Sequence, residues 1–193
     1  MINNGEFSRA PLRQGFVHPI ARRTRPLTAY ALGHAQLNDP AGPSTYSWFC
    51  EYADGAVWVS LEGSEEREKL FDREGITLVS FSFDLAMVPV VSFVDASGSW
   101  LWWYDSIAEK HVFTAIDGRT PFVAMDDRRL EQSAIADVIL TYLRGDKVYQ
   151  RIQRDRYTIE YAEQPLGVPI TATSSITGFA MHTGNRMQWR IKP

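Results

Sequence analysis

Four histidines, one cysteine and a few neighbouring carboxylates are the residues of this chain best suited to acid–base or metal chemistry. Their spacing does not organise them. His18, His34, His111 and His182 stand far apart, with no HExxH or HxH pattern to set two ligands on one metal. Cys50 is alone, which excludes an intrachain disulfide and any CxxC or zinc-finger motif. Asp126 and Asp127 are adjacent, and adjacent residues of a strand point to opposite faces, so they do not share a proton. With Arg128 and Arg129 behind them, they read as an ion-paired junction between a strand and a loop. A glycosidase needs two carboxylates facing each other across a sugar, and no spacing here singles out such a pair. There is no GxSxG nucleophile elbow, and neither phosphate-loop pattern, GxxxxGK[ST] or GxGxxG, occurs. No repeated Ca²⁺-binding signature occurs, and Asp54, Asp95 and Asp105, which sit near turns, are better explained by turn chemistry. The sequence therefore assigns no catalytic residue, no metal and no cofactor.

Binding chemistry is better represented. The run SWLWWYD puts Trp100, Trp102 and Tyr104 on one face of a strand and Leu101 and Trp103 on the other. Exposed, Trp100, Trp102 and Trp103 would stack on sugar rings; buried, they would pack one sheet on the next, and packing is the favoured reading. The stretch ADVILTYLRGDKVYQRIQRDRYTIEYAE (Ala136–Glu163) is rich in arginine. Alternation divides its bases. Lys147, Tyr149, Arg151, Gln153 and Asp155 share one face; Val148, Gln150, Ile152, Arg154 and Arg156 share the other. Asp137, Asp146, Asp155 and Glu160 lie near enough in sequence to pair with them. A nucleic-acid groove needs concentrated unpaired charge, and the whole chain is acidic, with net charge −3. The sequence argues against nucleic acid and for ion pairs and protein contacts. The candidate partner-binding residues are Arg151, Arg154 and Arg156, together with Arg22 and Arg23 of a basic N-terminal stretch.

These residues must be positioned by strands. The chain has 193 residues, 45% of them hydrophobic and 12% aromatic, a balance that favours strands over helices. Four hairpins recur: YSWFCEYADGAVWVSL, PVVSFVDASGSWLWWYD, VILTYLRGDKVYQRI and ITGFAMHTGNRMQWRI. Their turns fall at Asp54-Gly55, Ser97-Gly98, Gly145-Asp146 and Gly184-Asn185, residues that tolerate positive φ. The turns repeat at roughly 40 to 50 residues, close to the period of propeller blades. One unit reads as strands at Ile76–Phe83, Val88–Asp95, Trp100–Asp105 and His111–Ile116. The next reads as Pro121–Asp127, Asp137–Arg144, Lys147–Arg154 and Tyr157–Ala162. Both faces of Val138–Leu143 are apolar, as in a strand buried on both sides. Ser64–Glu74 has the caps for two helical turns, although its charge density suits a surface connector better.

The fold expected is all-β, a propeller-like array of about four short antiparallel blades. A β-sandwich or barrel is the alternative. Residues 1–25 form an extended basic arm, and residues 26–193 a single β domain built of hairpin repeats. The arm's GFVHPI segment (Gly15–Ile20) is expected to complete the last blade, or to order on a neighbouring subunit. No apolar run is long enough to span a bilayer, and the N-terminal residues lack the apolar core of a signal peptide.

The runs PVVSFVDASGSWLWWYD, TPFVAMDDRR, ADVILTYLRGDKVYQRIQRDRYTIEYAE and TGNRMQWRIKP resemble a block in virion structural proteins of tailed bacteriophages. The similarity covers Ile76–Pro193. It implies a structural part of the tail, neck or adsorption apparatus, present in several symmetric copies and assembled in the host cytoplasm. Its implied partners are copies of itself and other virion proteins. The resemblance brings no catalytic residues. Two alternatives are a module that binds a host-surface glycan or receptor, and a β-propeller hydrolase of surface polysaccharide.

Overall fold

The computed structural model describes residues 30–39, 42–61, 64–84, 88–126, 137–163, 169–182 and 186–192. The N-terminal arm, GFVHPI, Arg22, Arg23, Asp127 and the arginines at 128 and 129 lie outside the described residues. The chain is all-β. The described strands form four antiparallel sheets, taken up one after another along the sequence.

The first sheet is a meander of β1 (Tyr30–Asp39), β2 (Gly42–Ala53), β3 (Ala56–Leu61) and β4 (Glu68–Asp72). The second is β5 (Leu78–Phe83), β6 (Pro89–Asp95), β7 (Gly98–Asp105) and β8 (Lys110–Ile116). The third is β9 (Arg119–Asp126), β10 (Asp137–Arg144), β11 (Lys147–Ile152) and β12 (Tyr161–Glu163). The fourth pairs β13 (Ser175–His182) with β14 (Arg186–Lys192). β1, β5, β9 and β13, the first strand of each sheet, lie beside one another in that order.

Turn chemistry sets the registers. Asp54 and Gly55 both have positive φ (54° and 74°) and join Ala53 to Ala56, the pattern of a type I′ turn. Gly145 alone takes positive φ (60°) between the paired Arg144 and Lys147, as a type II′ turn requires. In the second sheet the turn is one residue earlier than the sequence suggests. Asp95 pairs with Gly98, and Ala96-Ser97 make the bend. The cause is Asp95, whose Oδ1 accepts from the Ser97 N–H at 2.8 Å and from the Ser97 hydroxyl at 2.6 Å. This aspartate turn takes precedence over the Ser-Gly dipeptide.

The sheets stack face to face, and burial along the strands shows it. Every side chain of Val138–Leu143 is buried, as a strand packed on both faces demands. β7 divides its aromatics as alternation predicts. Trp102, with Trp100 beside it, joins Val57, Val59 and Phe71 between the first and second sheets. Leu101 and Trp103 join Val123, Leu140 and Tyr142 between the second and third. Phe122, Leu143 and Val148 meet Ile176 between the third and fourth. Each fully buried Leu, Ile, Val or Phe contributes about 1.5–3 kcal/mol, so these seams are where the fold is held. Where β5 meets β9 the contact is closer. The Ser80 hydroxyl accepts from the Val123 N–H at 3.1 Å, a bond a larger side chain would not allow.

Three expected elements differ. Ser64–Glu74 forms neither helix nor connector throughout; its centre is β4, an edge strand. Ser64 Oγ accepts from the Glu66 N–H at 3.1 Å, a helix-cap contact that no helix follows. Phe71 explains the strand, because pairing Val57 with Phe71 turns that ring into the first seam. The strand expected at Lys147–Arg154 ends at Ile152 in a 3-10 turn, Gln153–Asp155. The next strand begins at Tyr161, not Tyr157. Arg156 and Tyr157 both take left-handed φ (52° and 54°), which breaks the extended run and buries Tyr157.

Candidate functional site

The candidate site is the rim where loops of the second and third sheets meet. It gathers the link between β5 and β6, the turn between β7 and β8, and the segment between β11 and β12. Side-chain bonds lock the three together. Gln153 Nε2 donates to Asp84 Oδ2 at 3.0 Å. Arg156 donates to Asp105, whose other oxygen accepts from the N–H groups of Ile107 at 3.0 Å and Ala108 at 3.3 Å. The Asp105 side chain is only 6% exposed. The Arg156 hydrogen bond and these two N–H groups hold its carboxyl below the ordinary aspartate range, against the effect of burial. Tyr157 stands edge-on to Trp103, ring centroids 5.0 Å apart.

Two consecutive non-glycine residues in the left-handed region are uncommon, and each carries a conformational cost. Here that backbone aims Arg156 and Tyr157 at the neighbouring sheet. It also leaves Ile159 outside. Ile107 (73% exposed), Ile159 (49%) and Tyr161 (42%) are three of the four large hydrophobic residues most exposed among the described residues. Arg154 is exposed on the same segment. Tyr161 is oriented by its hydroxyl, which donates to Asp155 at 2.9 Å.

Beside the rim lies a charged cluster on the third sheet. Glu160 accepts from Arg144 at 2.8 Å, from Arg151 at 2.7 Å and from the Tyr142 hydroxyl. Arg151 Nε donates to the Tyr142 oxygen at 3.1 Å. The Arg144 guanidinium lies 4.0 Å above the Tyr149 ring and also reaches Asp117 at 3.3 Å. Burial alone would raise the Glu160 pKa. Hydrogen bonds from Arg144, Tyr142 and Arg151 outweigh it and bring the pKa down to about 2. Burial, reinforced by the Glu160 bond, pushes Tyr142 up to about 12. The carboxylate is thus satisfied and strongly held, which suits a structural tie. A general acid or base would need a pKa near the working pH.

The sequence candidates fall into distinct places. Arg151 is mostly buried and committed to Glu160 and Tyr142. Arg156 is half exposed and ties two sheets together. Arg154 faces outward at the rim. Trp102 and Trp103 are each 5% exposed and pack opposite seams. Trp100 is partly buried, with Arg73 stacked 4.8 Å from its ring and its N–H given to Ser97 Oγ at 3.0 Å. These three tryptophans form no exposed stacking stripe. Ile107 and Ile159 were not legible as surface residues, because single isoleucines in loops have no periodicity to reveal which way they face.

Among the described residues no group of three or more His, Cys, Asp or Glu side chains is placed to hold a metal. Burial raises the pKa of the Cys50 thiol, which suits a core residue better than a nucleophile. No helix among the described residues is long and apolar enough to cross a membrane. The fold and rim together define an all-β protein of serially stacked antiparallel sheets with exposed apolar residues on a loop edge. Comparison with protein-family models, curated proteins and solved structures finds no match.

Proposed function

We propose that this protein is a non-enzymatic assembly component, a structural part of a tailed-phage virion at the tail or head–tail connector. In this reading the four sheets are blades of a propeller-like array, and the rim is a protein contact. The observation that carries it is the exposure of Ile107 and Ile159 on loops held rigid by the Arg156–Asp105 tie. Flexible loop tips expose isoleucine at random, whereas preorganised apolar tips flanked by arginine match the make-up of protein interfaces. The virion assignment rests on the resemblance of Ile76–Pro193 to phage structural proteins. Burial of Trp102 and Trp103 takes away two of the three tryptophans that the glycan-binding alternative relied on, and Arg73 stacks on the third, Trp100.

The test is light scattering after size exclusion, together with mass spectrometry of purified particles. The expected result is a defined oligomer, or the chain at several copies per particle, with Ile107→Asp/Ile159→Asp losing that association while staying folded. A chain that remains a monomer at high micromolar concentration and is absent from particles would overturn the proposal.

A further inference from the structure

Among the described strands, the first and last sheets each end in a strand with no further neighbour, β4 and β14, whose sequences differ in charge, and we infer that these two edges pair between copies of this chain. At one end is β4, which pairs only with β3 among the described strands. Its neighbourhood is acidic. Arg67 is committed to Glu51 and Asp54, Lys69 to Asp72, and Arg73 to Asp95. Glu65, Glu66, Glu68 and Glu74 remain exposed with no cation against them among the described residues. At the other end is β14, which pairs only with β13 among the described strands. Its sequence, RMQWRIK, has three bases and no acid.

A strand edge presents unpaired N–H and C=O groups and readily accepts another strand. Charge decides which one. β4 against β4 places carboxylates opposite carboxylates, and β14 against β14 places bases opposite bases; both pairings are disfavoured. Only β4 against β14 neutralises both. The remaining outer strands lack this selectivity, since β8 carries one lysine and one histidine and β12 a single glutamate. β4 and β14 have similar lengths, five and seven residues. Because the two edges belong to the first and last sheets, the contact is head to tail. It joins copies into a ring, or into a filament if the rotation does not close. This deepens the assembly reading and rests on it: the partner is a second copy, and the surface is a strand edge distinct from the rim.

The test uses two full-length charge-reversed chains. One carries Glu65→Lys, Glu66→Lys and Glu68→Lys; the other carries Arg186→Glu, Arg190→Glu and Lys192→Glu. Each alone should self-associate at least about tenfold more weakly than wild type, by sedimentation velocity at low salt. Mixed one to one, they should re-form assemblies that contain both chains in equal number, because each then offers the edge the other has lost. A misfolded variant cannot produce that rescue, and circular dichroism of each chain checks folding independently. If wild type assembles and both variants assemble equally well, or if the mixture fails to recover, the edge contact is overturned while the assembly reading stands. If wild type is monomeric under all conditions, both fall.

Discussion

Replacing Gly118 by alanine tests the packing of the seam beneath the charged cluster. Gly118 lies in the short link between β8 and β9 and donates its N–H to the Ile116 carbonyl at 3.0 Å. The need for glycine here is one of space. A Cβ would sit 2.3 Å from Tyr142 Cδ2, 3.0 Å from Tyr142 Cε2 and 2.9 Å from the Leu143 carbonyl oxygen. Carbon atoms normally touch at about 3.5–4.0 Å, so the ring would have to withdraw by more than 1 Å. Tyr142 has nowhere to go. It is fully buried, stacked on Tyr149 at 5.8 Å, and its hydroxyl is held by Glu160 and Arg151. Overpacking of a tight core costs about 1–3 kcal/mol, and a clash with both a ring and a backbone carbonyl belongs at the top of that range. For a domain of this size about 3 kcal/mol lowers Tm by roughly 6–12 °C. Thermal unfolding followed by circular dichroism measures it. Tyr142→Leu in the same chain removes the ring contact, so the double variant should be about 1–2 kcal/mol more stable than the sum of the single effects. A Gly118→Ala chain melting within 2 °C of wild type, or strict additivity in the cycle, would refute this account of the seam.

Two more predictions follow from the same contacts. Glu160 has its pKa lowered in the folded state, so it contributes stability above its ordinary value of 4.5, and that contribution drains away as pH falls towards about 2. Glu160→Gln should therefore flatten the acid limb of the stability profile between those values; an unchanged limb in acid-titrated melts would contradict the assignment. Trp102→Ala removes a ring that contacts Phe71 at 4.9 Å and stacks on His111 at 4.1 Å, and should cost about 3–5 kcal/mol by urea unfolding. A cost below 1 kcal/mol would mean that the first seam does not depend on it.

The strands expected at Ile76–Phe83, Val88–Asp95, Trp100–Asp105 and His111–Ile116 match β5 to β8 within two residues, and Asp137–Arg144 matches β10, because a period of two, β-branched residues and tight turns all agree there. Asp137–Arg144 is the clearest case: apolar residues at both odd and even positions imply a neighbour on each face, and both neighbours are present. The misread segments are those where local and tertiary preferences conflict. Ser64–Glu74 has a serine cap and early glutamates, yet Phe71 is worth more buried in a seam than two exposed helical turns. At Gln153–Arg156 the alternation of polar residues continues in the sequence after the strand has ended. The bend comes from left-handed Arg156 and Tyr157, and no glycine or proline marks it. The site suffered most from this. Alternation puts Arg154 and Arg156 on one strand face, but they sit on a turn and have different tasks.

Those tasks bear on where the protein is free to bind. Three arginines bridge the seams. Arg73 reaches Asp95 at 2.5 Å and Ser97 at 3.1 Å across the first. Arg156 reaches Asp105 across the second. Arg119 reaches the Thr171 and Ser174 carbonyls, at 2.5 Å and 3.3 Å, across the third. Each starts near a strand end and meets a turn or loop of the adjacent sheet, where backbone groups and aspartates gather. A guanidinium spans such a gap because its planar donors engage two acceptors at once. These three arginines therefore serve the stacking of the sheets. Charge committed to a seam cannot also serve a partner. Glu65, Glu66, Glu68 and Glu74 around β4 are exposed with no cation against them among the described residues, and the sequence of β14 carries three bases and no acid. Pairing β4 of one copy with β14 of another brings these opposite charges together, which is the electrostatic gain that the inferred contact offers.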